Sequence, residues 1–187
     1  MQDPSTLLAP KELGARAGET ILDLCAAPGG KTTYIAQLTS NQSTIVAEDV
    51  QPARLSLVKE NVERLGANVE MGPAAPDREF DRILIDAPCS NTGVLRRRVD
   101  LRWRLKETEI PRLAATQLNL LEQATRRLKP NGTILYSTCS LEPEENQEVV
   151  QRFISAHSDF RLDYERELLP FRDGVDGAYV ARLVRTI

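Results

Sequence analysis

The sequence lacks the residues that build a metal centre or a disulfide-stapled fold. Its 187 residues include three cysteines and a single histidine, His157. No CxxC pair occurs, and a Cys3His zinc site would need all four of those residues in one place, so no metal is expected. An odd cysteine count in a chain of this length is no disulfide framework, and the thiols read as free in a reducing, cytoplasmic setting. No apolar run approaches the roughly 18 residues of a membrane span, and no signal peptide opens the chain. The dinucleotide pattern GxGxxG is absent. The P-loop pattern also fails, because Cys25 stands where it needs the glycine ahead of Gly30-Lys31-Thr32. Positive charge is not in excess: 24 Lys and Arg against 27 Asp and Glu give a net charge of −3. The molecule as a whole is therefore no basic glove for nucleic acid.

What is present is ordinary globular composition, 41% hydrophobic and 27% charged, enough for one domain over residues 1–187. The opening, Met1-Gln2-Asp3-Pro4-Ser5, begins abruptly with no cap or strand and reads as part of a longer chain. Oligomeric state is unreadable, and a monomer is the working expectation.

Strand and helix signals alternate along the chain. Strands are expected at 20–24, 43–47, 68–71, 80–85 and 133–137, with closing strands at 161–164 and 178–184. Helices are expected at 31–38, from Pro52 to a stop at Gly66, at 110–128 (Leu113, Leu118, Leu121, Ala124 and Leu128 inward), and from Pro143 onward. Lys129-Pro130-Asn131-Gly132 reads as a turn. Residues 86–108 read as a long basic loop, a length that is usually functional. The repetition predicts an α/β fold: a doubly wound, mostly parallel, seven-stranded sheet with helices on both faces.

Two thiols carry the chemistry. Cys89 follows Ile83-Leu84-Ile85 within Asp86-Ala87-Pro88-Cys89-Ser90. Cys139 follows Thr133-Ile134-Leu135-Tyr136 within Ser137-Thr138-Cys139-Ser140. Each lies at the carboxyl end of a buried strand, the edge at which open α/β sheets bind ligands. The turn Ala26-Ala27-Pro28-Gly29-Gly30-Lys31 points to the same edge. Its small residues let backbone amides approach a ligand, and the helix start favours a phosphate or the carboxylate of S-adenosylmethionine equally. Asp49, ending the second strand, suits two ribose hydroxyls or else caps the helix before Pro52. Asp23 suits a cationic amino group. Cys25 reads as a small buried hydrophobe.

A thiol beside an acidic turn fits pyrimidine chemistry. Carbon 5 of a pyrimidine is a poor nucleophile until a thiolate adds at carbon 6. A carboxyl at ring nitrogen 3 assists that addition, and a second thiol can assist release. Between residues 96 and 106, Arg96, Arg97, Arg98, Arg102, Arg104 and Lys106 face only Asp100, with Trp103 among them. Such a cluster suits a phosphate backbone and a stacked base. It is equally a solvated loop with Trp103 in the core.

These stretches resemble the Sun/Fmu (RsmB-like) family of RNA 5-methylcytosine methyltransferases. The resemblance runs through Leu22 to Thr32, Asp86 to Ser90, Gly93-Val94, Arg102-Trp103, Gln117, Leu128-Lys129-Pro130, Tyr136 to Ser140, Glu145-Asn146 and Asp176-Gly177. It implies a Rossmann-like S-adenosylmethionine methyltransferase fold and an RNA substrate, rRNA or tRNA. It implies Cys139 as nucleophile, Cys89 in product release, Asp86 on the target cytosine and Lys31 as the active-site lysine. Spacing alone leaves open which thiol attacks, since DNA cytosine-5 enzymes use the earlier Pro-Cys thiol. The cofactor set expected is Asp23, Cys25, Ala26, Ala27, Pro28, Gly29, Gly30, Lys31, Asp49, Arg54 and Asp86. The RNA set is Arg96, Arg97, Arg98, Arg102, Trp103 and Arg104.

The chain departs from the family in three places. Pro73 stands where an aspartate near adenine is usual, with Asp77 as a shifted substitute. Arg97-Arg98 replaces a His-Pro pair ahead of Asp100. The amino-terminal RNA-binding extension is absent from this sequence. A non-catalytic cofactor- and RNA-binding module in ribosome assembly is the alternative, and a P-loop ATPase a distant third.

Overall fold

The computed structural model describes residues 3–186. Seven strands form one sheet: β1 (Thr20–Asp23), β2 (Thr44–Ala47), β3 (Val69–Met71), β4 (Phe80–Asp86), β5 (Leu128–Thr138), β6 (Phe160–Leu168) and β7 (Ala178–Arg185). Their order is β3-β2-β1-β4-β5-β7-β6. β7 pairs antiparallel with both β5 and β6; the other pairings are parallel. The order reverses between β1 and β4, and ligands of open sheets bind at that point.

Alternation along the buried strands fills two cores. Ile83, Ile85, Ile134 and Tyr136 face α5 (Glu109–Thr125) and α6 (Gln147–Ala156), meeting Leu121, Ala124, Val150 and Phe153. Leu84 and Leu135 face the other way, onto α1 (Leu8–Leu13) and α2 (Gly30–Leu38) through Leu13 and Ile35. α3 (Leu55–Leu65) closes over Ala26 and Ala47 with Val58 and Val62. Gly66 ends it at φ 61°, a left-handed position suited to glycine.

Five expectations need correction. The opening is capped: Asp3 Oδ1 accepts from Ser5 N at 3.0 Å and starts a 3-10 turn, Pro4–Leu7, that leads into α1. The long loop contains a 3-10 turn, Thr92–Val94, and a short helix α4, Leu101–Arg104. α5 ends at Thr125, so Leu128 is a strand residue. Lys129–Gly132 is a bulge within β5, with pairing resuming from Phe80↔Leu128 to Arg82↔Thr133 and Asn131 at φ 60°. On α5 the buried face comprises Ala114, Gln117, Leu120, Leu121 and Ala124, while Leu113 and Leu118 are half-buried. The polar Gln117 replaces a leucine inward because its amide is hydrogen-bonded there.

Candidate active site

Parallel pairing brings the carboxyl ends of β1, β2, β4 and β5 to one edge. Asp86 stands in register with Ser137, whose hydroxyl donates to Asp86 Oδ1 at 2.9 Å. Lys31, in the first turn of α2, reaches Asp86 Oδ2 at 2.6 Å. Burial opposes the Lys31 charge, but the Asp86 carboxylate outweighs it and raises the ammonium above its usual range.

Beyond that pair the two thiols meet. Cys89 and Cys139 are free, and their sulfurs lie 3.2 Å apart. Cys89 Sγ also accepts from Cys139 N at 3.3 Å. Asn91 bridges the two loops: its Oδ1 accepts from Cys139 Sγ at 2.9 Å, and its Nδ2 donates to the Cys89 carbonyl at 2.7 Å. Cys89 is buried, whereas Cys139 is partly open. Its hydrogen bond with Cys139, then burial, push the Cys89 thiol well up. Burial likewise pushes up Cys25, in keeping with an inert packing thiol.

A cavity of about 310 Å³ opens over these groups, lined by Ala27, Asp49, Arg54, Asp86, Cys89 and Cys139 among others. A groove of about 440 Å³ between α2 and α3 is larger, but none of the acids or thiols named above lines it. Of the glycine turn, Ala27 lines the smaller cavity, together with Cys25, whereas Pro28 and Gly30 line the groove between α2 and α3. Gly29 sits at φ 101°, and a Cβ there would approach Val58 Cα to 3.0 Å, so the turn needs glycine. Asp49 Oδ2 accepts from Ala27 N at 3.0 Å, and its Oδ1 accepts from Gln51 N at 2.9 Å ahead of Pro52. Asp49 thus closes a local turn ahead of Pro52 without capping the helical turn there, whose N-cap is Gln51, and it also lines the cavity. Arg54 donates to the Ala27 carbonyl at 3.1 Å and lies 3.6 Å from Asp49. Asp23 lies beneath the turn, fully buried. Thr32 Oγ1 donates to its Oδ2 at 2.6 Å, while Oδ1 has no protein partner. Burial pushes its carboxyl up to about 7.

The basic stretch divides. Arg96 donates to Asp176 Oδ1 at 2.8 Å and to Asp3 Oδ2 at 3.0 Å, and Arg97 also binds the buried Asp176. These two anchor the loop. Arg98 lines the cavity. Arg102, Trp103 and Arg104 lie on exposed α4, and Trp103 is 91% exposed. That rules out the core alternative for the tryptophan. Pro73 and Asp77 are exposed; their segment is instead tied down by Ala74 N donating to Glu48 Oε1 at 2.9 Å.

Sequence reasoning assigned no role to Asn91, Ser137, Gln117, Glu145 or Asp176. Gln117, Glu145 and Asp176 are polar yet fully buried, which shows only once the fold is known. Among the described residues no group of three or more His, Cys, Asp or Glu could hold a metal ion, and no helix is long and apolar enough to cross a membrane.

The family described as 16S rRNA methyltransferase RsmB/F matches residues 6–184. Ribosomal RNA small subunit methyltransferase B of Erwinia tasmaniensis is 45% identical over 99% of this chain and 46% of its own length. The protein of that name from Photorhabdus laumondii is 42% identical over 90% of this chain and 42% of its own. The chain thus spans about half the length of the curated relatives it matches. The crystal structure of NSun6 from Pyrococcus horikoshii with SFG superposes at TM-score 0.90, with 29% identity, over 100% of this chain and 53% of that one. The fold is that of the Rossmann-like methyltransferases, and the chain belongs to the RsmB/F family of 16S rRNA methyltransferases.

Proposed function

We propose that this chain transfers a methyl group from S-adenosylmethionine to carbon 5 of a cytosine in RNA, through a covalent bond between Cys139 and carbon 6. The observation that carries the reading is two free thiols 3.2 Å apart on one cavity with Asp86, the carboxylate that Lys31 pairs.

The residues present fit the methyl donor. Ala27, Asp49 and Arg54 line the cavity, and Asp23 keeps a buried oxygen unpartnered beneath the turn. When bound, S-adenosylmethionine supplies an electrophilic methyl group. That donor class agrees with the related NSun6 having been crystallised with SFG, an analogue of it.

Cys139, open to the cavity, gives its proton to water there and its sulfur adds to carbon 6 of the flipped base, so that carbon 5 becomes the nucleophile. Lys31 Nζ donates to Asp86 Oδ2 at 2.6 Å, and this couple can supply a proton to ring nitrogen 3 as electron density builds there. After methylation water in the cavity takes the carbon 5 proton and the carbon–sulfur bond breaks, its electron pair returning to Cys139 as the thiolate. Cys89, a thiol 3.2 Å away, can donate its S–H to that leaving sulfur. Cys139 is the more open of the two, and the hydrogen bond between the thiols, then burial, hold the proton on Cys89, which supports the division of labour. Arg98, Arg102 and Arg104 meet the phosphates, and Trp103 offers a stacking face.

The test is a pair of variants with labelled methyl donor and RNA. Cys89→Ala should accumulate RNA covalently bound to protein on a denaturing gel. Cys139→Ala should form no adduct and transfer no methyl. Normal methylation by both variants would overturn the assignment.

A further inference from the structure

Cys89 and Cys139 follow the neighbouring strands β4 and β5, and their sulfurs are 3.2 Å apart. A buried carboxylate joins the two loops that carry them. Glu145 is 0% exposed. Its Oε1 accepts from Ser90 N at 2.9 Å and from Gln117 Nε2 at 3.0 Å. Its Oε2 accepts from Ser140 Oγ at 2.5 Å and from Ser90 Oγ. Ser90 and Ser140 are the residues directly after the two cysteines, and their hydroxyls lie 3.0 Å apart. Gln117 also donates to the Pro88 carbonyl at 2.9 Å, tying α5 to the same turn. The Glu145 main-chain carbonyl is fixed in turn by the Tyr136 hydroxyl at 2.6 Å.

Among the described residues no Lys, Arg or His lies within ion-pair distance of Glu145. Burying a carboxylate without a cation is costly, and only its hydrogen bonds offset that cost. An apolar residue here would serve packing more cheaply, but it could not bind both serines at once. We propose that Glu145 is a positioning residue that sets the separation of the two reactive thiols by holding Ser90 and Ser140 on one carboxylate. The inference rests on the reading that both thiols serve one base.

The experiment measures thiol spacing and methyl transfer separately in the full chain. Dibromobimane fluoresces only after bridging two neighbouring thiols, while iodoacetamide reports each thiol singly. In Glu145→Ala, bridging should slow about tenfold with single alkylation of Cys139 within about threefold. The kcat should fall on the order of 10²-fold, with KM for the methyl donor within about threefold, because an error of about 1 Å in a reacting group has that effect. Glu145→Gln should recover bridging and most of kcat. Glutamine can accept from Ser90 N and Gln117 and donate to the serine hydroxyls, which have free lone pairs. Ser140→Ala removes one of the four contacts and should slow bridging by an intermediate amount, which keeps the test open if Glu145→Ala does not fold. Wild-type bridging in Glu145→Ala or in Ser140→Ala would overturn the proposal, as would Glu145→Gln as impaired as Glu145→Ala. Bridging that responds as stated in a protein that methylates no RNA would support the positioning role and refute the functional reading instead.

Discussion

Gly93 gives the sharpest steric test of the site. Its amide donates to the Cys139 carbonyl at 2.9 Å, and its own carbonyl accepts from Gly177 N at 2.9 Å. It is not among the glycines with positive φ, so alanine there brings no backbone strain of its own. An added Cβ would lie 2.4 Å from Gly177 O, 2.7 Å from Gly177 C and 2.8 Å from Cys139 O. All three are main-chain atoms, and no rotamer change avoids them. The closest is about 1 Å short of ordinary van der Waals contact. Relief must therefore move the start of β7 or the Cys139 loop by about that much. Overpacking of this kind costs about 1–3 kcal/mol. In a chain of 187 residues each kcal/mol lowers Tm by about 2–4 °C, so Gly93→Ala should melt about 2–12 °C lower. If the Cys139 loop yields, methyl transfer should fall on the order of 10²-fold. Thermal unfolding by circular dichroism and single-turnover methyl transfer, run well below the variant's Tm, check both. A Tm within about 1 °C of wild type together with unchanged transfer would refute the reasoning.

Two further outcomes are expected. The Asp23 carboxyl titrates near 7 in the fold, above its value in the unfolded chain. The folded state therefore holds a proton that the unfolded state releases, and this group's contribution is most favourable below about pH 4 and is lost as pH rises to about 7, by up to roughly 4 kcal/mol. Asp23→Asn should remove that loss, so the Tm of the variant minus that of wild type should grow between about pH 4.5 and 7.5; a difference independent of pH would contradict it. Trp103 is almost wholly exposed, so Trp103→Ala should leave Tm unchanged while weakening RNA binding by about 1–3 kcal/mol. Filter binding at fixed salt decides, and unchanged affinity would remove the stacking role.

The sequence made the edge of the sheet legible because β4 and β5 are apolar runs stopped by Asp86-Ala87-Pro88 and Ser137-Thr138. It could not supply the register that sets Asp86 against Ser137, nor the reach of Lys31 from α2. α1 escaped notice because Leu8–Leu13 is too short for helical periodicity to emerge. The segment 86–108 looked unstructured because its helical pieces, Thr92–Val94 and Leu101–Arg104, are too short for a period to emerge, and its anchors are tertiary. Gly93 meets Cys139, and Arg96 meets Asp176 80 residues away. The run of basic residues looked uniform for the same reason. Nothing local shows that Asp176 takes two of the arginines, or that Trp103 faces solvent.

Which thiol attacks is the point that spacing left open, and the donor inventory bears on it. The Cys89 carbonyl can only accept, so the Asn91 amide that meets it at 2.7 Å must present Nδ2. Oδ1 is thereby turned to Cys139 Sγ at 2.9 Å, and an oxygen that only accepts requires the proton on that sulfur. Cys89 Sγ accepts from Cys139 N, which leaves its own S–H directed at Cys139 Sγ. The proton of Cys139 thus rests on a side-chain amide at the cavity, where rotation or an incoming base can displace it. That of Cys89 is enclosed between main chain and the partner sulfur. A nucleophile must lose its proton and reach outward, and a thiol that assists release by donating to the departing sulfur must keep its proton until the adduct stands beside it. The two environments support Cys139 in the first role and Cys89 in the second.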